Sequence, residues 1–197
     1  MIFKNTTALD RDRLFGMFVQ AVKPFPIDQL EVRIRYSRSS DFSGTCHYHT
    51  SRLYVNLGRH LTYPYLMDTY IARAVTSPTA WWKPLYSIEL ADGYQVVLFV
   101  LLHEYCHWLI KRAGRNTRQK ESMCDRFAAR ILADRYGATI RDPKGRRVPR
   151  DLWDIQDVAG FVASALIPKR ARPSTAARVA RTSITAQPGA QLLLFNP

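Results

Sequence analysis

The chain has 197 residues, 47% of them hydrophobic, and a formal net charge of +13. That length and apolar content suit one domain of ordinary size with a real core, which excludes a wholly disordered or fibrous chain. The charge attracts polyanions such as nucleic acid or an anionic membrane surface, or serves solubility alone, and with no long basic amphipathic helix in view the membrane fits less well.

The opening MIFKNTTALDRDR carries charges where a secretory segment would be apolar, and the longest apolar run, Val96 to Leu102, is far too short to span a bilayer. Three cysteines, Cys46, Cys106 and Cys124, are too few and odd in number for a disulfide framework. These features predict a cytoplasmic protein with reduced thiols and no membrane association.

In chain order, Thr7 with Asp10 three residues on forms a capping-box variant. Leu9, Leu14, Phe15, Phe18 and Val22 then recur near helical spacing, which predicts an amphipathic first helix that ends by Pro24. Leu30 to Tyr36, LEVRIRY, alternates apolar and basic residues like a strand with one buried face. GTCHYHT and RLYVNLG follow as a hairpin about Thr50 and Ser51. Leu61 to Val75 carries apolar residues at helical intervals behind Thr62 and Pro64, which predicts a helix. Ser77 to Leu90 reads as a loop or short strand, in which Trp81 and Trp82 are either a substrate-binding lip or packing aromatics. Asp92 can cap a helix through QVVLFVLLHEYCHWLIKR that stops at Gly114; apolar nearly all round, it should be central and buried. Thr117 can cap a further helix, RQKESMCDRFAARILADRY, which ends at Gly137. A basic turn, Asp142 to Arg150, leads to a last helix over Leu152 to Ile167. From Pro168 onward Lys169, Arg170, Arg172, Arg178 and Arg181 occur with no acidic residue. The expected division is a folded domain over 1–167 and a disordered basic tail over 168–197.

The chemistry concentrates in His103-Glu104-Tyr105-Cys106-His107. Two histidines at i and i+4 share one helical face about 6 Å apart, close enough to hold one ion, and Glu104 flanks them. Two imidazoles and a carboxylate on an apolar helix are costly unless each finds a partner, which favours a metal over hydrogen-bonded core histidines. Imidazole and carboxylate donors in an open four-coordinate site suit zinc. No histidine follows His107, so the third ligand should be acidic. Glu121 and Asp125 lie one turn apart on the next predicted helix. Glu121 is the expected ligand and Asp125 the acceptor that orients a liganding imidazole, although the roles could be exchanged or the pair could be a solvated face. Zinc there would acidify water and polarise a carbonyl, and Glu104 would carry the proton to the leaving amine of a peptide. An extended substrate could pair with the RLYVNLG strand.

His47 and His49 could form a second pair on one strand face but lack a third ligand, and Cys106 and Cys124 read as small packing residues rather than thiolate ligands. The run from Lys111 to Lys120 holds Lys111, Arg112, Arg115, Arg118 and Lys120 with no acid. It links the two metal-site helices, either as a phosphate-contacting rim for DNA or as a solvated loop.

HEYCH followed by ESMCDRFAARIL resembles the zincin metallopeptidases whose third ligand is glutamate, the ImmA/IrrE-like group above all, over Val96 to Leu132. The resemblance implies an α+β, zincin-like fold in which a small mixed sheet packs on a central HExxH helix and a second metal-ligand helix. It also implies a small cytosolic zinc endopeptidase, in several cases acting on a DNA-binding repressor. GTCHY, RLYVNL and VLLHEYCH look like the SprT-like proteases, which are linked to cleaving proteins crosslinked to DNA, but the chain lacks their later histidine ligand. The closing QLLLF fits Q-L-x-L-F and is similar to the peptide that bacterial replication and repair proteins insert into the sliding clamp. Gln191, Leu192, Leu194 and Phe195 would then bind the clamp; the other reading folds them back as a strand. The expectation is a zinc endopeptidase acting on DNA-associated proteins and tethered to the clamp. The alternative is a non-catalytic, zinc-containing adaptor for DNA and clamp.

Overall fold

A computed structural model describes residues 1–166; the predicted tail and its QLLLF motif lie outside the described residues. The Asp92 carboxylate accepts the Gln95 N–H and starts the longest helix, α2 (Gly93–Arg112). Its apolar residues go round the whole circumference, so every face needs a partner. The partners come from a four-stranded sheet, an antiparallel three-stranded sheet and two helices, giving an α+β architecture.

The larger sheet has the order β1-β2-β4-β3, formed by β1 (Ile2–Asn5), β2 (Glu31–Tyr36), β4 (Arg52–Leu57) and β3 (Phe42–His47). β1 runs parallel to β2 and β2 to β4, while β3 returns antiparallel. On β4 the predicted alternation holds, with Leu53, Val55 and Leu57 buried. The hairpin turn is a short 3-10 helix, Tyr48–Thr50, closed by Ser51 in the left-handed region. β1 went unread in the sequence, because four residues with one buried side chain leave little alternation to detect.

The first helix, α1 (Arg11–Ala21), buries Leu14, Phe18 and Ala21 along one stripe. Its cap is Asp10, whose side chain accepts the Arg13 N–H, and not Thr7. The Thr7 hydroxyl instead takes part in the preceding turn with Asn5. Phe18 meets Tyr105 of α2 edge-on at 5.4 Å.

The predicted helix over Leu61 to Val75 is absent. That segment contains strand β5 (Tyr65–Thr69) and the first half of a small hairpin, β6 (Val75–Thr76) paired with β7 (Trp81–Trp82). Met67 and Thr69 are buried while Leu66 and Asp68 face out, a period of two that short-range helical spacing had masked. β5 pairs with β8 (Tyr86–Leu90), which pairs with β9 (Thr139–Arg141), so cross-strand bonding decides the conformation.

α3 (Glu121–Tyr136) starts later than predicted: Thr117 does not cap it, and Lys120 occupies the cap position without a side-chain bond. Gly137, at φ +70, ends it in the left-handed conformation that glycine adopts without a Cβ penalty. Cys106 and Cys124 are buried between α2 and α3 as free thiols, in keeping with their reading as packing residues. Phe127, Ala128 and Leu132 complete the seam; each large apolar side chain there is worth about 1.5–3 kcal/mol of burial. The last helix, α4 (Val158–Leu166), is shorter than predicted, because Asp157 accepts the Gly160 N–H and sets its start. Among the described residues no helix is long and apolar enough to cross a membrane.

Candidate metal centre

Helical period brings His103 and His107 to one face of α2, with ring centroids 4.9 Å apart. The first turn of α3 lies against that face and supplies Glu121. The His103 and His107 Nε2 atoms are 3.1 Å apart; Glu121 Oε2 lies 3.1 Å from the first and Oε1 3.2 Å from the second. Ligands held at about 2.0–2.1 Å from a tetrahedral ion stand roughly 3.3 Å from one another, so the triangle has the right size. His103, His107 and Glu121 therefore form a group that could hold a metal ion, and the half-exposed Glu121 leaves it open to solvent.

Asp125 follows one turn after Glu121 on the same face of α3 and does not join that triangle. Its Oδ1 lies 2.7 Å from His103 Nδ1, and its Oδ2 accepts the Tyr70 N–H at 2.6 Å. A carboxylate at Nδ1 fixes the proton there and turns the Nε2 lone pair toward the triangle. His107 has no such support: its Nδ1 is the one buried side-chain polar atom without a partner among the described residues. Buried orphans of this kind are rare, and functional sites are where they are tolerated.

The charges are strongly coupled. Burial by itself pulls the His103 imidazole down, but hydrogen bonds to Asp125 and Glu121, with the charges of Asp125 and Glu104, outweigh it and lift the group to about 10. Burial and the neighbouring His103 charge lower His107. The hydrogen bond to His103 and the charge of His107 hold Glu121 down at about 2, against its own desolvation. A liganding imidazole is neutral, so binding a metal ion here would displace the proton that Asp125 and Glu121 hold on His103.

Glu104 stands beside the triangle, half-buried, with burial raising its carboxyl above the usual range. No residue among the described ones is hydrogen-bonded to it, so the carboxylate is free to exchange a proton with a ligand. It abuts strand β3: a Cβ built on Gly44 would lie 2.4 Å from Glu104 Oε1. Sequence reading missed Gly44, whose signal, a lone glycine inside a strand pattern, marks close approach. Cys46, two residues on along β3, has its thiol pushed up to about 12 by burial and by the Glu104 charge.

The other sequence candidates lie elsewhere. His47 packs edge-on against Tyr54, and His49 sits in the 3-10 turn, not on the strand with it; neither joins a metal group among the described residues. RLYVNLG is β4, whose backbone is paired on both sides by β2 and β3, so it has no edge to offer. The sheet's edge on the metal side is β3. The basic connection runs from Lys111, one turn beyond His107, to Lys120, immediately before Glu121. Within it Arg112 reaches the Asp28 carboxylate at 3.7 Å and Arg115 donates to the Ser164 hydroxyl at 2.8 Å, while Arg118 and Lys111 are exposed. No family model, curated protein or solved structure matches the chain.

Proposed function

We propose that the chain is a zinc-dependent endopeptidase of the zincin-like kind. The observation that carries this reading is the convergence of two imidazole nitrogens and one carboxylate on a point flanked by Glu104. Zinc suits two nitrogens and one oxygen with an open fourth position; calcium and magnesium prefer more oxygen ligands. Held by His103, His107 and Glu121, it would supply Lewis acidity toward a substrate carbonyl and toward water.

The chain's own residues do the rest. Asp125 holds His103 in the productive tautomer. Glu104, with its carboxyl raised by burial, accepts a proton from the attacking water and returns it to the leaving amine nitrogen. β3 has an edge left unpaired among the described residues, against which an extended substrate adds as a further strand beside Glu104.

DNA-associated proteins are the proposed substrates, supported by the net charge of +13 and by the basic connection from Lys111 to Lys120 at the metal end. Recruitment to a sliding clamp through Gln191, Leu192, Leu194 and Phe195 is proposed on the motif alone. The test is metal analysis of the purified chain together with casein cleavage. Zinc should be present at one equivalent, retained in Glu104→Gln with cleavage lost, and lost in His103→Ala. A metal-free chain, or a Glu104→Gln chain that cleaves normally, sinks the reading. Function that survives Glu104→Gln but not charge reversal across Lys111 to Lys120 identifies the adaptor instead.

A further inference from the structure

Arg126, on α3, is only 8% exposed, yet among the described residues it has no ion-pair partner, and Asp154 acts on it only from a distance. Its Nε donates to the Ile71 carbonyl at 2.8 Å and one terminal nitrogen to the Ala72 carbonyl at 3.0 Å. Those bonds satisfy donors without neutralising the charge, and a buried cation with no ion-pair partner is expensive. Arg126 lines a pocket of about 450 Å³ together with Arg73, Lys83 and Lys120, and no acidic side chain is among the residues that line it. Desolvation and the Arg73 charge work against the Arg126 cation and outweigh the favourable charge of Asp154, and an anion entering the pocket would oppose them further.

The pocket lies at the root of the tryptophan hairpin. Arg73 precedes β6, Lys83 follows β7, and Val75 is paired with Trp82. Trp81 is 71% exposed, Trp82 49% and Tyr70 63%. Three exposed aromatic rings between Tyr70 and Trp82 are unusual on a surface that packs against nothing among the described residues, whereas rings interleaved with cations fit bases and phosphates in succession. Duplex DNA hides its base faces, so only an unpaired strand can use these rings.

We infer that the Arg73, Lys83, Lys120 and Arg126 pocket and the Trp81–Trp82 hairpin form a binding site for single-stranded nucleic acid. A backbone phosphate enters the pocket, and a neighbouring base stacks on an exposed tryptophan of the hairpin. This surface meets the Lys111 to Lys120 connection only at Gln119 and Lys120, and the inference holds whether or not the metal centre hydrolyses peptides. The Tyr70–Ala72 segment is stitched to α3 by bonds from the Ser122 hydroxyl to the Tyr70 carbonyl and from the Tyr70 N–H to Asp125, besides those of Arg126, so the pocket is preformed.

The test is fluorescence anisotropy of the full chain with labelled oligothymidylate of about 15 nucleotides, within the span single-strand binders cover. Trp81→Ala should weaken binding about 5- to 150-fold, the loss of one stacked base. Arg73→Glu with Lys83→Glu should weaken it about ten-fold or more and reduce the salt slope by about 1.4, the value for two phosphate contacts on a single strand. Arg38→Glu with Arg59→Glu, the same charge change on another exposed loop, should cost much less. A duplex of equal length, an oligouridylate and a polyglutamate peptide complete the panel. Weaker binding of the duplex and the peptide is expected, and comparison of the two oligonucleotides assigns DNA or RNA. Equal affinity for the duplex or the peptide overturns the inference, as does unchanged binding in Trp81→Ala or a pocket reversal no worse than the loop reversal. Casein cleavage by the same variants reads the metal centre separately.

Discussion

Replacing Gly44 with alanine should separate metal binding from catalysis. The added Cβ would fall 2.4 Å from Glu104 Oε1, 2.7 Å from its Cγ and 2.8 Å from Val100 Cγ1, where ordinary contact begins at 3.4 Å. Either the carboxylate or strand β3 must therefore move by about 1 Å, and a misplacement of that size at a reacting group costs on the order of 100-fold in rate. The strain should also cost about 1–3 kcal/mol of stability, the usual penalty for overpacking. None of the three nearest atoms belongs to His103, His107 or Glu121, so zinc should remain bound. The assay is cleavage of casein or a quenched peptide at saturating zinc, with metal content and denaturant midpoint measured on the same preparation. Gly16→Ala in α1 is the control: no neighbouring atom lies within 4 Å of its Cβ, and alanine should stabilise the helix by about 0.5–1 kcal/mol at unchanged activity. A Gly44→Ala chain that keeps full activity would refute the placement of Glu104 against β3 as its working position. Loss of zinc would show that the strand, and not the carboxylate alone, had moved.

Asp125→Asn should lower zinc affinity about 10- to 100-fold, because the amide is a poorer acceptor for the His103 Nδ1 proton; competition with a chromogenic chelator measures it. The same change weakens the bond from Tyr70, so a normal metal affinity would leave Asp125 with a purely structural role. Glu31 is held below its usual range first by Arg33, against some desolvation, and then by Arg52. A carboxyl depressed in the folded state stabilises the fold fully above the ordinary value of 4.5, and the contribution disappears as pH falls through the folded value. Glu31→Gln should therefore flatten the loss of denaturant midpoint on acidification, and an unchanged acid profile would refute it. Gly137→Ala forces a Cβ into the left-handed C-cap of α3 at φ +70 and should destabilise by about 1 kcal/mol, read by thermal unfolding.

The parts of the fold legible in the sequence were those fixed by local period. Helical spacing was enough to pair His103 with His107 and Glu121 with Asp125, and to mark α2 as buried all round. The strand β5 was misread because its identity comes from pairing with β8, some twenty residues away, while Leu61, Tyr65 and Leu66 coincide with a helical stripe. The same failure hid the edge of the larger sheet: β4 looks like a free hairpin arm until β2 is placed alongside it, and only the strand order shows that β3 is exposed.

α3 applies one spacing twice. Glu121 and Asp125 face the imidazoles of α2, while Ser122 and Arg126, displaced by one residue at the same interval, bond the carbonyls of Tyr70, Ile71 and Ala72. The first pair was legible because its partners are side chains with recognisable chemistry. The second was not, because its partners are backbone groups of a segment read as helix, where those carbonyls would already have been occupied. Once that segment leaves β5 as irregular chain, its carbonyls need donors, and Arg126 is drawn inward to supply them. The demand for backbone hydrogen bonds thus explains how a guanidinium on α3 comes to be buried with no ion-pair partner among the described residues, an arrangement that favours an anion in the adjoining pocket.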